Sequence, residues 1–427
     1  MMVLDRKKAP QFKQVNTIEF LDVVSTTLDN GIEINYINGG SQDILKIDFI
    51  FKAGNIFQDK PLVASSTVNL MKEGSKNYSA FEISEGIDNY GAFFEVENSY
   101  DTASLTLYTL TKYLDKVLPI VKEVILAPEF SEKEFNIYTK NAAERFQINL
   151  EKVSFIARTT FMNAILGENH PYGKSVQLED YKKLSVADLS AFYQKNYNLA
   201  NCNILISGKV DKDCIHQLNS FFGQEKILKT GSQKQSFTIP STSNSAIYIE
   251  KENALQSAIR IGRVVPNKTH EDYFGLQILN TVLGGYFGSR LMKNIREDKG
   301  YTYGIGSGIL SLQNAGYFYI STEVGSDVTK KALEEIYKEI AIIRTKEISN
   351  EELELVKNYL LGQLLSSCDG PFSMASLFSA VNEYSLDYSF YNNYISAIKN
   401  IKANTLLELA VKYFNKADLT EVVVGKL

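Results

Sequence analysis

The chain has 427 residues, 44% of them apolar and 22% charged, with a formal net charge of −5. That length exceeds one ordinary hydrophobic core, so at least two domains are expected. The mild acidity and the lack of any basic block argue against a nucleic-acid or anionic-membrane surface.

The opening residues, MMVLDRKKAPQFKQV, carry basic side chains with no apolar core after them, and no apolar run is long enough to span a bilayer. A cytoplasmic protein is the expectation; a periplasmic or organellar one would read the same. Cys202, Cys214 and Cys368 are widely spaced and odd in number, without a C-x-x-C, and read as inert thiols. The three histidines, His170, His216 and His270, never stand four residues apart, so histidine alone cannot build a zinc pair on a helical turn. His170 falls in the turn cluster GENHPYGK and reads as structural or solvent-exposed; His216 and His270 carry no role.

The first informative stretch is PLVASSTVNLMKEG, from residue 61. Its small and apolar residues are spaced for a helix. Ser65 and Asn69 are four apart and share a face, with Val68 beside them. An H-x-x-E-H motif on that geometry brings two imidazoles to one zinc, with the glutamate as base. Serine and asparagine are poor zinc ligands and valine cannot take a proton, so no zinc site can be built here. Downstream, alternation at Leu105, Leu107 and Thr109 predicts a strand. A helix is predicted from Leu110, Leu114, Val117, Leu118, Val121 and Ile125, kinked or strained at Pro119. Ser131 with Glu134 predicts the N-cap of a long helix. Near the end of this half, LSVADLSAFYQKNYNLANCNILISGKV reads as helix, polar turn, strand and a Gly-Lys ending.

Residues 226–246 are polar and without period, and are taken as a linker. Beyond them, TVLGGYFGSRLMKNIREDKGYTYGIGSGI combines Gly284, Gly285 and Gly288 with a helix placing Leu291, Met292 and Ile295 on one side. Gly300 is the predicted stop. A strand is predicted through YTYGIGS with Tyr301 and Tyr303 on one face, so that Arg296 and Tyr303 converge across a short turn.

The remaining segments repeat earlier ones. The strand and helices of residues 315–353 match those of 102–135, with Ser349 and Glu352 as a second N-cap pair, and 401–427 match 184–210. Gly208 and Gly425 are 217 positions apart, and Ser131 and Ser349 are 218 apart. One duplicated unit explains both offsets. The expected fold is α+β, with two homologous domains at 1–225 and 247–427, each an antiparallel-rich sheet packed with helices.

These segments resemble the pitrilysin or insulinase-like zinc metallopeptidases, relatives of mitochondrial processing peptidase, over nearly the whole chain. LDNGIEINYINGG, FKAGNIFQD and LMKEGSKNYSAFEISEGIDNYGAFFEVENSYDTASLTL follow the family's first-domain pattern. Its two histidines fall on Ser65 and Asn69, its general base on Val68, and its third ligand near Glu144, which alone cannot hold zinc. The second-domain signature, a Gly-rich turn, S-R-L, a helical Arg and a Tyr seven residues later, falls on Arg296 and Tyr303. The resemblance implies that this pair binds the substrate backbone and steadies the tetrahedral intermediate. It further implies an inactive subunit with no cofactor of its own, half of a clamshell closed by a homologous partner that carries H-x-x-E-H and the zinc. Peptide substrate would bind by strand addition to a sheet edge. A structural scaffold subunit or a peptide-binding homodimer is the alternative expectation. No nucleic-acid partner is expected.

Overall fold

A computed structural model describes residues 15, 17–227, 237, 239 and 245–427. The first half forms a six-stranded sheet from β1 (Val24–Thr27), β2 (Glu33–Asn38), β3 (Ile44–Phe51), β4 (Phe93–Asn98), β5 (Ala103–Leu110) and β6 (Cys202–Gly208), in the order β1-β2-β6-β3-β5-β4. Only β2 and β6 pair in parallel. The second half repeats this in five strands: β7 (Ala246–Glu250), β8 (Gln256–Val265), β9 (Ile305–Leu312), β10 (Ala315–Gly325) and β11 (Thr420–Gly425), in the order β7-β11-β8-β10-β9. Here β7 and β11 are the parallel pair. The two domains are therefore α+β, each with an antiparallel-rich sheet. The linker expected at 226–246 lies largely outside the described residues, and Ala246 opens β7.

The helices of the first half are α1 (Val63–Met71), α2 (Ala80–Asp88), α3 (Leu114–Leu126), α4 (Glu132–Leu150), α5 (Val153–Leu166), α6 (Leu178–Lys183), α7 (Val186–Asn196) and α8 (Lys212–Phe222). Those of the second are α9 (Tyr273–Asn280), α10 (Thr329–Thr345), α11 (Asn350–Ser366), α12 (Gly370–Asn382), α13 (Ser389–Asn400) and α14 (Ala403–Tyr413). The repeat is visible in them: β5-α3-α4 recurs as β10-α10-α11, and α7-β6 as α14-β11. Ser131 and Ser349 both cap their helices, each hydroxyl accepting from the N–H three residues on, Glu134 at 3.2 Å and Glu352 at 3.2 Å. Gly208 and Gly425 end their strands with φ of 113° and 135°, a conformation that disfavours a side chain.

The alternation in β5 buries Leu105, Leu107 and Thr109. Leu110 belongs to that strand and not to the next helix, which starts at Leu114 after a 3₁₀ turn at Thr111–Tyr113. The helix then runs on through Pro119 to Leu126, held by buried Val117, Leu118, Ile120 and Val121. Core packing outweighs the one backbone donor that proline removes.

Two helices cross between the halves. From α5, Phe161, Ile165 and Leu166 pack with Ala258, Val422 and Val424 of the second sheet. Met374, Ala375 and Phe378 of α12 pack on Ile37 and Leu205 of the first. Phe161 and Phe378 are 217 positions apart, so the exchange follows the repeat.

Candidate functional site

The helix α1 begins after Leu62, whose φ is 72°, and the Gln58 side chain accepts from Ala64 N–H at 3.2 Å. Its would-be ligand positions are committed elsewhere. Ser65 Oγ donates to the Leu62 carbonyl at 3.1 Å, and Asn69 Nδ2 donates to the Ser65 carbonyl at 2.7 Å. Val68 is fully buried in the core of the first domain.

Across from α1, the face of α4 presents Tyr138, set among Ser65, Ser66 and Arg145. Burial pushes the Tyr138 phenol above its usual range, with Ser66, Arg145 and Ser65 pulling the other way. Glu144 is exposed, a step around α4 from that face. The residues present do not fit a zinc ion: two neutral side chains are folded onto their own backbone, and the facing helix offers a phenol and a cation. Among the described residues, no cluster of three or more His, Cys, Asp or Glu side chains could hold a metal.

The second region is built differently. After α9 the chain passes through a π-helical turn at Thr281–Gly285, a glycine-rich bend, and a second π-helical segment at Met292–Asp298. Such turns concentrate at functional sites. Gly284 is required there, because a Cβ would lie 2.8 Å from the Ser307 backbone nitrogen. The segment buries Leu291, Met292 and Ile295, and Arg290 anchors its start with a two-pronged bond to Glu352, at 2.8 and 2.7 Å. Gly300, at φ 66°, turns the chain out of the helix.

Arg296 and Tyr303 do converge, through the tyrosine's backbone: Arg296 Nε donates to the Tyr303 carbonyl at 3.0 Å. The guanidinium also stacks over the Phe287 ring, 4.6 Å from its centroid. Among the described residues no carboxylate lies within ion-pair distance of Arg296, so neither Glu297 nor Asp298 neutralises it. The strand predicted through Tyr301 and Tyr303 is corrected, since β9 starts only at Ile305. Tyr301 packs against the core of the second domain, whereas Tyr303 is 94% exposed. The reason is local. Thr302 Oγ1 donates to the Glu323 carbonyl at 2.6 Å and accepts from Gly304 N–H at 3.1 Å, fixing residues 301–304 as a loop.

Sequence reasoning missed Phe287, Thr302, Tyr138 and Arg145. The stacking partner and the loop pin act across turns, where no periodicity points to them. The α4 pair, seven residues apart, carried a usable signal, because that spacing repeats a helical face. His170 is buried as a turn residue, its Nδ1 accepting from Tyr172 N–H at 3.1 Å. No hydrogen bond or ion pair among the described residues joins the α1 region to the Arg296 loop.

Residues 63–173 match the family described as insulinase (peptidase family M16), and residues 183–360 match that described as peptidase M16 inactive domain. A Rickettsia felis protein named uncharacterized zinc protease is 25% identical over 419 residues, covering 93% of this chain and 96% of the relative. A Helicobacter pylori protein named non-peptidase homolog YmxG is 24% identical over 329 residues, 74% of each chain. The crystal structure of a protease from Helicobacter pylori superposes with a TM-score of 0.87 at 20% identity, covering 95% of this chain and 99% of that one. With both matched segments pointing to one family and the two-domain fold shared along the chain, the protein belongs to the insulinase-like peptidase family M16.

Proposed function

We propose that this chain is the non-catalytic, substrate-binding subunit of a heterodimeric zinc peptidase that cleaves peptides or unfolded segments. The zinc and its glutamate base sit in a homologous partner chain carrying H-x-x-E-H. This chain supplies Arg296 and Tyr303. The observation that carries the reading is the contrast between its two regions. Ser65 and Asn69 of α1 bond back to backbone carbonyls and Val68 is buried in the core, while Tyr303 extends its hydroxyl into solvent from a loop pinned on both sides.

The chemistry suits that assignment. Arg296 Nε holds the loop, and the rest of the guanidinium, half-buried and stacked on Phe287, is the cation proposed to meet carbonyl or carboxylate oxygens. The Tyr303 hydroxyl is a donor for developing oxyanion charge. Peptide backbone adds as a strand to a free sheet edge; β4 and β9 are edges of the two sheets.

The test is recovery of the tagged chain under native conditions, with its partners identified by mass and peptide cleavage measured with and without chelator. Expected is a partner with H-x-x-E-H and chelator-sensitive cleavage that needs both chains. A chain recovered as a homodimer, or in an assembly without cleavage, would replace this reading with a peptide-binding or scaffold role.

A further inference from the structure

Asp101 and Asp48 are the buried carboxylates among the described residues, and only Asp48 has an ion pair, with Lys46 at 2.8 Å. Asp101, 6% exposed, sits in the β4–β5 turn of the first domain. Its neighbours come from both domains. Tyr172 of the first donates its hydroxyl to Oδ1, and the Gln313 backbone N–H, at the tip of the β9–β10 hairpin of the second, donates to Oδ2 at 3.1 Å. Asn314 Nδ2 completes the link by donating to Tyr172 Oη at 3.3 Å. The turn cannot move aside: Asn55 and Ile56 N–H bond to the carbonyls of Ser99 and Tyr100, and a Cβ on Gly54 would lie 2.5 Å from Asp101's backbone.

We propose that Asp101 is the pin of a proton-sensitive clip between the two homologous domains, holding the β9–β10 hairpin more firmly as the pH falls. The proposal does not rest on the peptidase reading. Removing an unpaired carboxylate from water disfavours its charge, and two neutral donors offset this only in part. Burial accordingly sets the Asp101 carboxyl above its usual range, with the Tyr172 and Gln313 bonds pulling it down. A raised acid pKa in the closed junction means that the closed form takes up the proton more readily than the opened one. The added hold is complete below the ordinary carboxylate pKa and is lost as the pH rises through the raised one. The other titratable groups around the junction are Tyr172, Tyr100, His170, Tyr384 and Glu383. The phenols Tyr172, Tyr100 and Tyr384 are raised, chiefly by burial, and stay neutral; His170 is lowered by burial. Glu383, near Asp101, Glu97 and Lys268, is the competing titrant; Lys268 Nζ is bonded to the Ala380 carbonyl at 2.5 Å.

Hydrogen exchange of the full chain, read at the hairpin tip and corrected for intrinsic rate, tests this. Protection should rise about threefold or more from about pH 7.5 to about pH 5 in the parent. Asp101→Asn should lose that pH dependence, and Glu383→Gln should keep it. Protection that does not change with pH in the parent overturns the proposal. So does pH dependence that survives Asp101→Asn or vanishes in Glu383→Gln. Should Asp101→Asn fail to fold, carboxyl-carbon NMR titration of the parent decides: an Asp101 midpoint at or below the ordinary aspartate value overturns the clip.

Discussion

Val68 shows why the lost metal motif is not one substitution away from recovery. It is wholly buried, so the triple change Ser65→His, Val68→Glu, Asn69→His forces a carboxylate into an apolar core. That should cost about 4 kcal/mol of stability. The facing side of α4 still presents Tyr138, with Arg145 on the same helical face, and the exposed Glu144 stands one step around the helix from them. The variant is expected to melt earlier and to hold clearly less than one zinc per chain by metal analysis; stoichiometric tight zinc would contradict this account of the site. Tyr303 gives the opposite case. Its side chain is free and Arg296 bonds only its carbonyl, so Tyr303→Phe should leave stability within about 0.5 kcal/mol. Turnover of the partnered enzyme should fall by about two orders of magnitude. Activity within about twofold of the parent would remove the proposed transition-state role. The Ser65, Val68 and Asn69 positions were legible because a helix period fixes which residues share a face. The outward turn of Tyr303 was not, because Thr302 bonds to Glu323, twenty-one positions away, and displaces the strand start.

At the scale of elements, the two long capped helices look alike in sequence and differ in what their caps support. Ser131 and Ser349 each satisfy one N–H, so Ser131→Ala and Ser349→Ala should each cost about 1 kcal/mol in denaturant unfolding. Glu352 has a second task in α11, the fork to Arg290 that ties this helix to the start of the Arg296 segment. Arg290→Ala should therefore cost more, about 2 kcal/mol, and also lower peptide turnover in the complex, whereas Ser131→Ala should leave turnover unchanged. Equal effects of these two changes on turnover would argue that α11 does not position the Arg296 loop. The caps, the β5 alternation and the repeat were readable because each is a local spacing. The beginning of α3 was misplaced by four residues because Leu110 suits both the strand's end and the helix's apolar face, and only the 3₁₀ turn between them decides.

Across the whole molecule, the duplication predicts two domains and the structure adds that neither covers itself. The apolar face of α5 is buried by the second sheet and that of α12 by the first. Sequence period identifies each helix as amphipathic, but nothing local says which sheet it will meet, so this exchange was not legible. Its energetic consequence is large: Phe161, Ile165, Leu166 and Phe378 would each forfeit about 1.5–3 kcal/mol of burial if the halves were separated. A net stability of only about 5–15 kcal/mol cannot absorb such losses. The halves 1–225 and 247–427 expressed apart are thus expected to show no cooperative thermal transition by circular dichroism, and to recover one when mixed. A half that melts cooperatively alone, at a temperature near that of the full chain, would show that the crossed helices are peripheral. If they behave as expected, the two domains fold as one cooperative unit, and the interdomain contacts at Asp101 and Gln313 set its internal firmness rather than joining two independent bodies.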